Sequence, residues 1–107
     1  MRRDEAIRIL REHREELARD FGVRSLALFG SVARNDAKET SDVELLVEFD
    51  DRPVGLFHLA GLHGHLCNLL HARQLDLVMR DSIYPALREN ILGEAIDVIA
   101  PEVGAPR

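Results

Sequence analysis

The spacing of apolar residues along the chain changes repeatedly between helical and strand periods. Apolar residues recur at helical intervals over residues 4–20, which predicts an amphipathic helix with Asp4 as its N-cap and Gly22 as its end. A short, mostly apolar run over residues 23–29 then predicts a buried first strand. The first part of the chain is therefore expected to run from a surface helix into the interior of a sheet.

The second half of the chain repeats this change of period. It predicts a strand over residues 43–49, a helix from Leu56 to about Ala72, a strand over residues 74–79, a helix starting at Pro85 and a short strand over residues 97–100. In the last of these helices the predicted inward residues are Leu87, Ile91 and Ala95. Helices and strands thus alternate through most of the sequence.

Acidic residues interrupt two of the predicted strands. Because successive strand side chains point to opposite faces, Asp42 and Glu44 are expected on one face and Val43 and Leu45 on the other. Asp76 interrupts the next strand in the same way. Neighbouring carboxylates repel one another unless a cation lies between them, so these acids are candidate metal ligands.

A Gly-Ser pair ends the first strand, ahead of the acids. Backbone N–H groups at Gly30-Ser31 and the Ser31 hydroxyl could hold a phosphate, although most such pairs are only turns. Residues 31–34 are expected to form a helical turn, with Arg34 either binding a phosphate or pairing with a nearby acid. A phosphate-binding turn beside paired carboxylates is typical of metal-assisted phosphoryl or nucleotidyl transfer.

Gly30-Ser31, ten residues and then Asp42-Val43-Glu44 resembles the signature of the polymerase-beta-type nucleotidyltransferase superfamily. With Ala33-Arg34 and Ser41 also present, the chain looks most like the minimal (MNT) nucleotidyltransferases, small antitoxin-type proteins encoded beside HEPN ribonucleases. The resemblance extends from the first helix to about Ala100. The chain departs from its family at Asn35, where Gly is usual, and at Glu44, where the nearest relatives usually carry Asp.

The resemblance implies an α/β fold, with a small mixed sheet of about four strands and helices mainly on one face. It also implies that Asp42, Glu44 and Asp76 bind two Mg²⁺ ions, while Gly30, Ser31 and Arg34 bind ATP. AMP would then pass to a hydroxyl acceptor, with Asp76 as the base. By analogy with the family, the acceptor would be a tyrosine of a HEPN toxin that forms a hetero-oligomer with this protein.

Composition limits the alternatives. The 107 residues suit one domain, 1–107, with 101–107 as a loose tail. A net charge of −5 without a basic stripe argues against direct binding of nucleic acid. No apolar stretch is long enough for a membrane helix, and a single Cys67 fits a reducing cytoplasm.

Three other interpretations stay open at this stage. The protein could neutralise a ribonuclease by contact alone, or it could transfer a nucleotide to a small molecule or an RNA end. His63, Cys67 and His71 have a helical spacing that zinc could use, but nothing elsewhere in the sequence completes a ligand set. We therefore expect those three side chains to be structural.

Overall fold

The computed structural model of the chain describes residues 2–36 and 42–100. The helices are α1 (Arg3–Glu12), α2 (Arg14–Phe21), α3 (Gly30–Ala33), α4 (Leu56–Leu70) and α5 (Pro85–Glu94). The strands are β1 (Val23–Phe29), β2 (Val43–Phe49), β3 (Leu75–Met79) and β4 (Ile96–Ile99), and a short 3-10 turn spans Arg80–Ser82.

The four strands form one mixed sheet in the order β3-β2-β1-β4. β1 runs antiparallel to both of its neighbours, β2 and β4, whereas β3 runs parallel to β2. β3 and β4 are therefore the edge strands. This arrangement confirms the α/β class, the mixed sheet and the four strands that the sequence led us to expect.

One face of the sheet carries the main core. The side chains of α1, α2 and α4 pack there against alternate residues of the strands. Leu62, Leu66 and Leu70 recur every fourth residue, so a single stripe of α4 is buried. The fully buried large side chains on this face are Leu10, Leu17, Leu26, Leu28, Leu45, Leu62, Leu66, Leu70, Val32 and Val47.

The opposite face holds a smaller apolar cluster. Ala27, Phe29, Leu46 and Ile83 are its buried members, and Ile91 of α5 packs against them. α5 has no fully buried residue of its own. The prediction that the helices lie mainly on one face of the sheet is therefore confirmed, and α5 lies on the other face.

Two predictions at the N-terminal end are wrong. The helix predicted over residues 4–20 is divided at His13, whose φ of −104° and ψ of 15° leave the helical region. The sequence has no Gly or Pro at this point, and Leu10 and Leu17 keep one helical face, so periodicity alone could not show the division. Arg2, not Asp4, is the N-cap, and Asp4 lies in the first turn of α1.

Backbone predictions that depend on local chemistry are confirmed. Gly22 ends α2 in the left-handed region with φ 72°, and Asn35, which tolerates this region better than most residues, adopts φ 63°. Pro85 begins α5, as its fixed φ favours. α4 ends at Leu70, two residues before the predicted end, and His71 is its left-handed C-cap.

The prediction that Leu87 of α5 faces inward is wrong, because 49% of this residue is exposed to solvent.

Within residues 2–36 and 42–100, no helix has the length and apolar character required to cross a bilayer. The predicted tail, 101–107, lies outside the described residues, and the single-domain organisation remains a prediction.

Candidate active site

The predicted acids meet where β2 and β3 run side by side. Glu44 and Asp76 are direct partners in the parallel register, and Asp42 immediately precedes β2. Val43 and Leu45 are buried on the opposite face, as strand alternation predicted. The carboxylates of two neighbouring strands are thus brought to one end of the sheet.

The Gly-Ser turn lies directly against one of these acids. Gly30 follows β1 with φ 78°, and a Cβ atom built there would fall 1.7 Å from Glu44 Oε2. Any larger residue at position 30 would therefore collide with the Glu44 carboxylate and also adopt an unfavourable backbone conformation. The left-handed backbone favours glycine at this position, and the close approach of Glu44 joins the turn to the acidic strand.

Solvent exposure differs among the three acids. Asp42 and Glu44 are half-buried, whereas Asp76 on the edge strand β3 is exposed. Burial raises the pKa of Glu44, and the nearby carboxylates of Asp76, Glu94 and Asp42 raise it further, while Arg34 opposes them. The site therefore carries negative charge that its own side chains do not neutralise.

Glu94 is a site residue that the sequence analysis missed. The Gly30 backbone N–H donates to Glu94 Oε1 at 2.9 Å, and Arg34 Nη1 donates to Glu94 Oε2 at 2.9 Å. Glu94 ends α5, 64 residues after Gly30, so only the tertiary fold brings them together. No local motif in the sequence marks this acid.

The sequence left two roles open for Arg34, binding a phosphate or pairing with a nearby acid. Arg34 pairs with Glu94 and, at 3.4 Å from its Nε, with Asp36. Hydrogen bonds to these two acids raise the pKa of the Arg34 guanidinium, with Glu94 as the larger cause. Arg34 is thus held by neighbouring acids at the edge of the Gly-Ser turn, from where it could also reach a phosphate.

The acids fit a hard cation in their chemistry. Carboxylate oxygens are the ligands that Mg²⁺ prefers, and a cation would relieve the repulsion around Glu44. In their present rotamers, however, no three acidic, histidine or cysteine side chains among residues 2–36 and 42–100 converge as a metal site.

The histidines and the cysteine of α4 make contacts within the fold. His63 Nε2 lies 2.7 Å from the Leu75 carbonyl oxygen, and Cys67 Sγ lies 3.9 Å from His63 Nδ1. His71 is the C-cap of α4. Structural roles for these three side chains remain a prediction.

Known proteins are similar to this chain in sequence. A family model described as "Nucleotidyltransferase domain" matches residues 10–98. Protein adenylyltransferase MntA of Thermococcus cleftensis is 41% identical over 90 residues, which are 84% of this chain and 89% of that protein. A provisionally named protein adenylyltransferase of Methanocaldococcus jannaschii, MJ0126, is 39% identical over 84 residues, which are 78% of this chain and 84% of that protein.

Solved structures agree with the sequence comparisons. A structure assigned as a minimal nucleotidyltransferase is 39% identical and superposes with a TM-score of 0.71, covering 90% of this chain and 95% of the other. A toxin–antitoxin complex crystallised with AMP-PNP contains a chain of 19% identity with a TM-score of 0.68, covering 86% of this chain and 74% of the other. At that lower identity the likeness establishes the fold alone.

Proposed function

We propose, on the premise that the chain belongs to the nucleotidyltransferase domain family, that it transfers AMP from ATP to a hydroxyl group of a partner protein. The resemblance to this family inferred from the sequence is confirmed by the family match and by relatives named as protein adenylyltransferases. The observation that carries the proposal is the contact of Glu44 with Gly30, opposite Asp76, because it joins a phosphate-binding turn to paired acids.

In this proposal the Gly30 and Ser31 N–H groups and the Ser31 hydroxyl bind the triphosphate, and Arg34 stabilises its charge. Asp42, Glu44 and Asp76 would hold two Mg²⁺ ions, which supply positive charge against the phosphates and favour deprotonation of the acceptor. Ser31 is half-buried in the first turn of α3, next to Gly30.

Asp76 is the residue best placed to meet the acceptor, because it is the exposed acid and lies on an edge strand. Its carboxylate accepts the proton of the acceptor hydroxyl while the acceptor oxygen forms a bond to the α-phosphorus. The bond from that phosphorus to its bridging oxygen breaks, and pyrophosphate leaves. The acceptor ends the reaction with AMP attached through its former hydroxyl oxygen.

The acceptor is proposed to be a tyrosine of a HEPN-type toxin. One structure with this fold is described as a tri-AMPylated Shewanella oneidensis HEPN toxin in complex with an MNT antitoxin, with a TM-score of 0.61 and 18% identity to this chain. The exposed carboxylate of Asp76 on the edge strand β3 also suits an acceptor carried by a second protein. We expect that protein to cover the face that bears Asp76 and to bury at least about 1,000 Å² in total.

The experiment is incubation of the purified protein with α-labelled ATP and Mg²⁺. It is carried out with and without its co-expressed neighbour, the protein encoded by the adjacent gene. Label should appear on the neighbour with wild-type protein and should be lost with Asp42→Asn. Transfer to free nucleosides or RNA at rates that the neighbour does not improve would contradict the proposal. An absence of label on every acceptor, with wild-type protein that binds ATP, would contradict it as well.

One observation favours a second candidate function, inhibition of the ribonuclease by binding alone. Glu94 already engages Gly30 and Arg34, the groups assigned to nucleotide binding. A protein that acted only by contact would inhibit its partner equally with and without ATP. Measuring ribonuclease inhibition before and after addition of Mg²⁺ and ATP separates the two functions, because adenylylation persists after the inhibitor is removed.

A further inference from the structure

The contact between Glu94 and the Gly-Ser turn has a geometry that a bound phosphate would share. The two oxygens of one carboxylate accept from two different donors, the Gly30 N–H and Arg34 Nη1, each at 2.9 Å. One donor is neutral backbone and the other is a cation, the pair that commonly binds a phosphate. The carboxylate therefore occupies the donors that the proposed function assigns to the triphosphate.

Neighbouring charges weaken the contact of Glu94 with Gly30 and Arg34, so that another anion can replace Glu94 there. Glu94 and Glu44 both lie against Gly30, so the two carboxylates are close and repel each other. Arg34 offsets part of this repulsion, but 49% of its side chain is exposed, and solvent weakens such a pair. A carboxylate held in this way can leave when a more highly charged anion arrives with its metal.

The Gly30 N–H cannot serve both groups at once. The Gly30 N–H carries one hydrogen, and a phosphate oxygen that accepts it must replace Glu94 Oε1. Arg34 has further N–H groups, but Asp36 engages its Nε. Affinity for a ligand falls in proportion to the fraction of molecules whose binding site is free of a competitor.

We propose that Glu94 is an internal competitor of the substrate phosphates, which must release the Gly30 N–H and Arg34 before a metal–triphosphate can bind. This inference rests on the proposed function, since it concerns the same nucleotide site. Its consequence is a coupling between the nucleotide and α5, because Glu94 is the last residue of that helix. α5 packs on the sheet through only partly buried residues, including Ile91 and Leu92, so it can yield when Glu94 is released.

Three variants separate competition from a simple change of charge. Glu94→Gln removes the charge and weakens the grip on Arg34. Glu94→Asp keeps the charge but shortens the side chain by one methylene, so it can no longer span both donors. Glu89→Gln removes an equal charge from an exposed position on the same helix and is the matched control.

The measurement is calorimetric affinity for Mg·ATP and for Mg·tripolyphosphate, a probe that has the phosphates without the nucleoside. Glu94→Gln and Glu94→Asp should each bind both probes more tightly, by about threefold to tenfold and by the same factor for each probe. Glu89→Gln should match wild type. Both positions are partly or fully exposed, so the variants should fold, which circular dichroism checks.

Unchanged or weaker binding in both Glu94 variants would overturn the competition and would show that Glu94 instead holds Arg34 in place. If Glu94→Gln bound the probes more tightly but Glu94→Asp did not, the loss of charge alone would explain the change. That result would also overturn the proposed competition. Ser31→Ala tests the proposed function separately, since it should weaken ATP binding whatever Glu94 does. If neither wild type nor any variant binds either probe, the proposed function fails and this inference fails with it.

Discussion

The face of the sheet under α1, α2 and α4 is closed by leucine and valine side chains, whereas the opposite face carries Glu44 and Asp76 beside a smaller apolar cluster. Both faces use the same strands, and alternate residues of β2 belong to one or the other. Apolar burial on the first face supplies the stability that permits like charges to stand close together on the second. The chain thus divides folding and chemistry between alternate residues.

The largest expected effect is on the acidic face. Asp76→Asn removes the proposed base while keeping the shape of the side chain, so AMP transfer should fall by about 100-fold to 10,000-fold. Unfolding temperature should not fall, because an exposed charge and its repulsion of Glu44 are removed.

Asp81→Asn is the matched control, since Asp81 is an exposed acid in the 3-10 turn that follows the other end of β3. It should transfer AMP at the wild-type rate. Equal activity in wild type and Asp76→Asn, measured with labelled ATP and the partner protein, would remove Asp76 from the chemistry.

The apolar face should respond in the opposite way. Leu66→Ala deletes a fully buried side chain of α4 and should lower the free energy of unfolding by about 2–5 kcal/mol. Nucleotide affinity of the remaining folded protein should be unchanged, because Leu66 packs on the face opposite the acids.

Leu87→Ala is the corresponding control on α5, where the leucine is 49% exposed, and it should cost less than about 0.5 kcal/mol. Urea denaturation measures both variants. A similar loss of stability in the two would show that the faces do not differ in the way their burial indicates.

A third, smaller effect is expected at Glu44, which differs from the aspartate usual among near relatives. The Glu44 carboxylate extends as far as Gly30, and Asp would be shorter by one methylene. If the site is built around Glu, Glu44→Asp should lower AMP transfer at least about tenfold, because Mg²⁺ tolerates little displacement of a ligand.

The same substitution could instead show that Glu44 is a step in the loss of catalysis. Higher transfer in Glu44→Asp, with partner binding unchanged, would mean that Glu44 weakened an ancestral activity. Wild-type transfer in Glu44→Gln would show that position 44 does not bind metal. Steady-state rates under one Mg²⁺ concentration decide among these outcomes.

Local chemistry made much of this fold predictable. Strands β1 and β2, the glycine end of α2, the left-handed Asn35 and the Pro85 start of α5 each follow from residues close in sequence. The spacing of Gly30, Asp42 and Glu44 likewise predicted the position of the candidate site from residues close in sequence. Their roles in binding remain predictions.

What the sequence could not show depends on contacts between distant segments. Glu94 reaches Gly30 only because α5 crosses the acidic face, and Leu87 is exposed because the apolar cluster there is small. The division at His13 carries no Gly or Pro signal. For Glu94 and Leu87, tertiary packing and not local propensity decided the outcome.

The smallest predicted effect is the dependence of stability on pH without metal. The folded state raises the pKa of Glu44 above its unfolded value, so between the two pKa values the folded state binds more protons than the unfolded state. Stability without metal should therefore fall as pH rises from the ordinary glutamate range through the raised pKa. Glu44→Gln removes this penalty and should melt a few degrees higher than wild type near pH 7.5, with the difference disappearing near pH 4. Glu48→Gln, on the same strand and face, should melt with the wild-type pH profile, since its hydrogen bond from Ser25 survives. Thermal unfolding in EDTA across this pH range makes the test, and a wild-type profile parallel to that of Glu44→Gln would show that the acidic face stores no such repulsion.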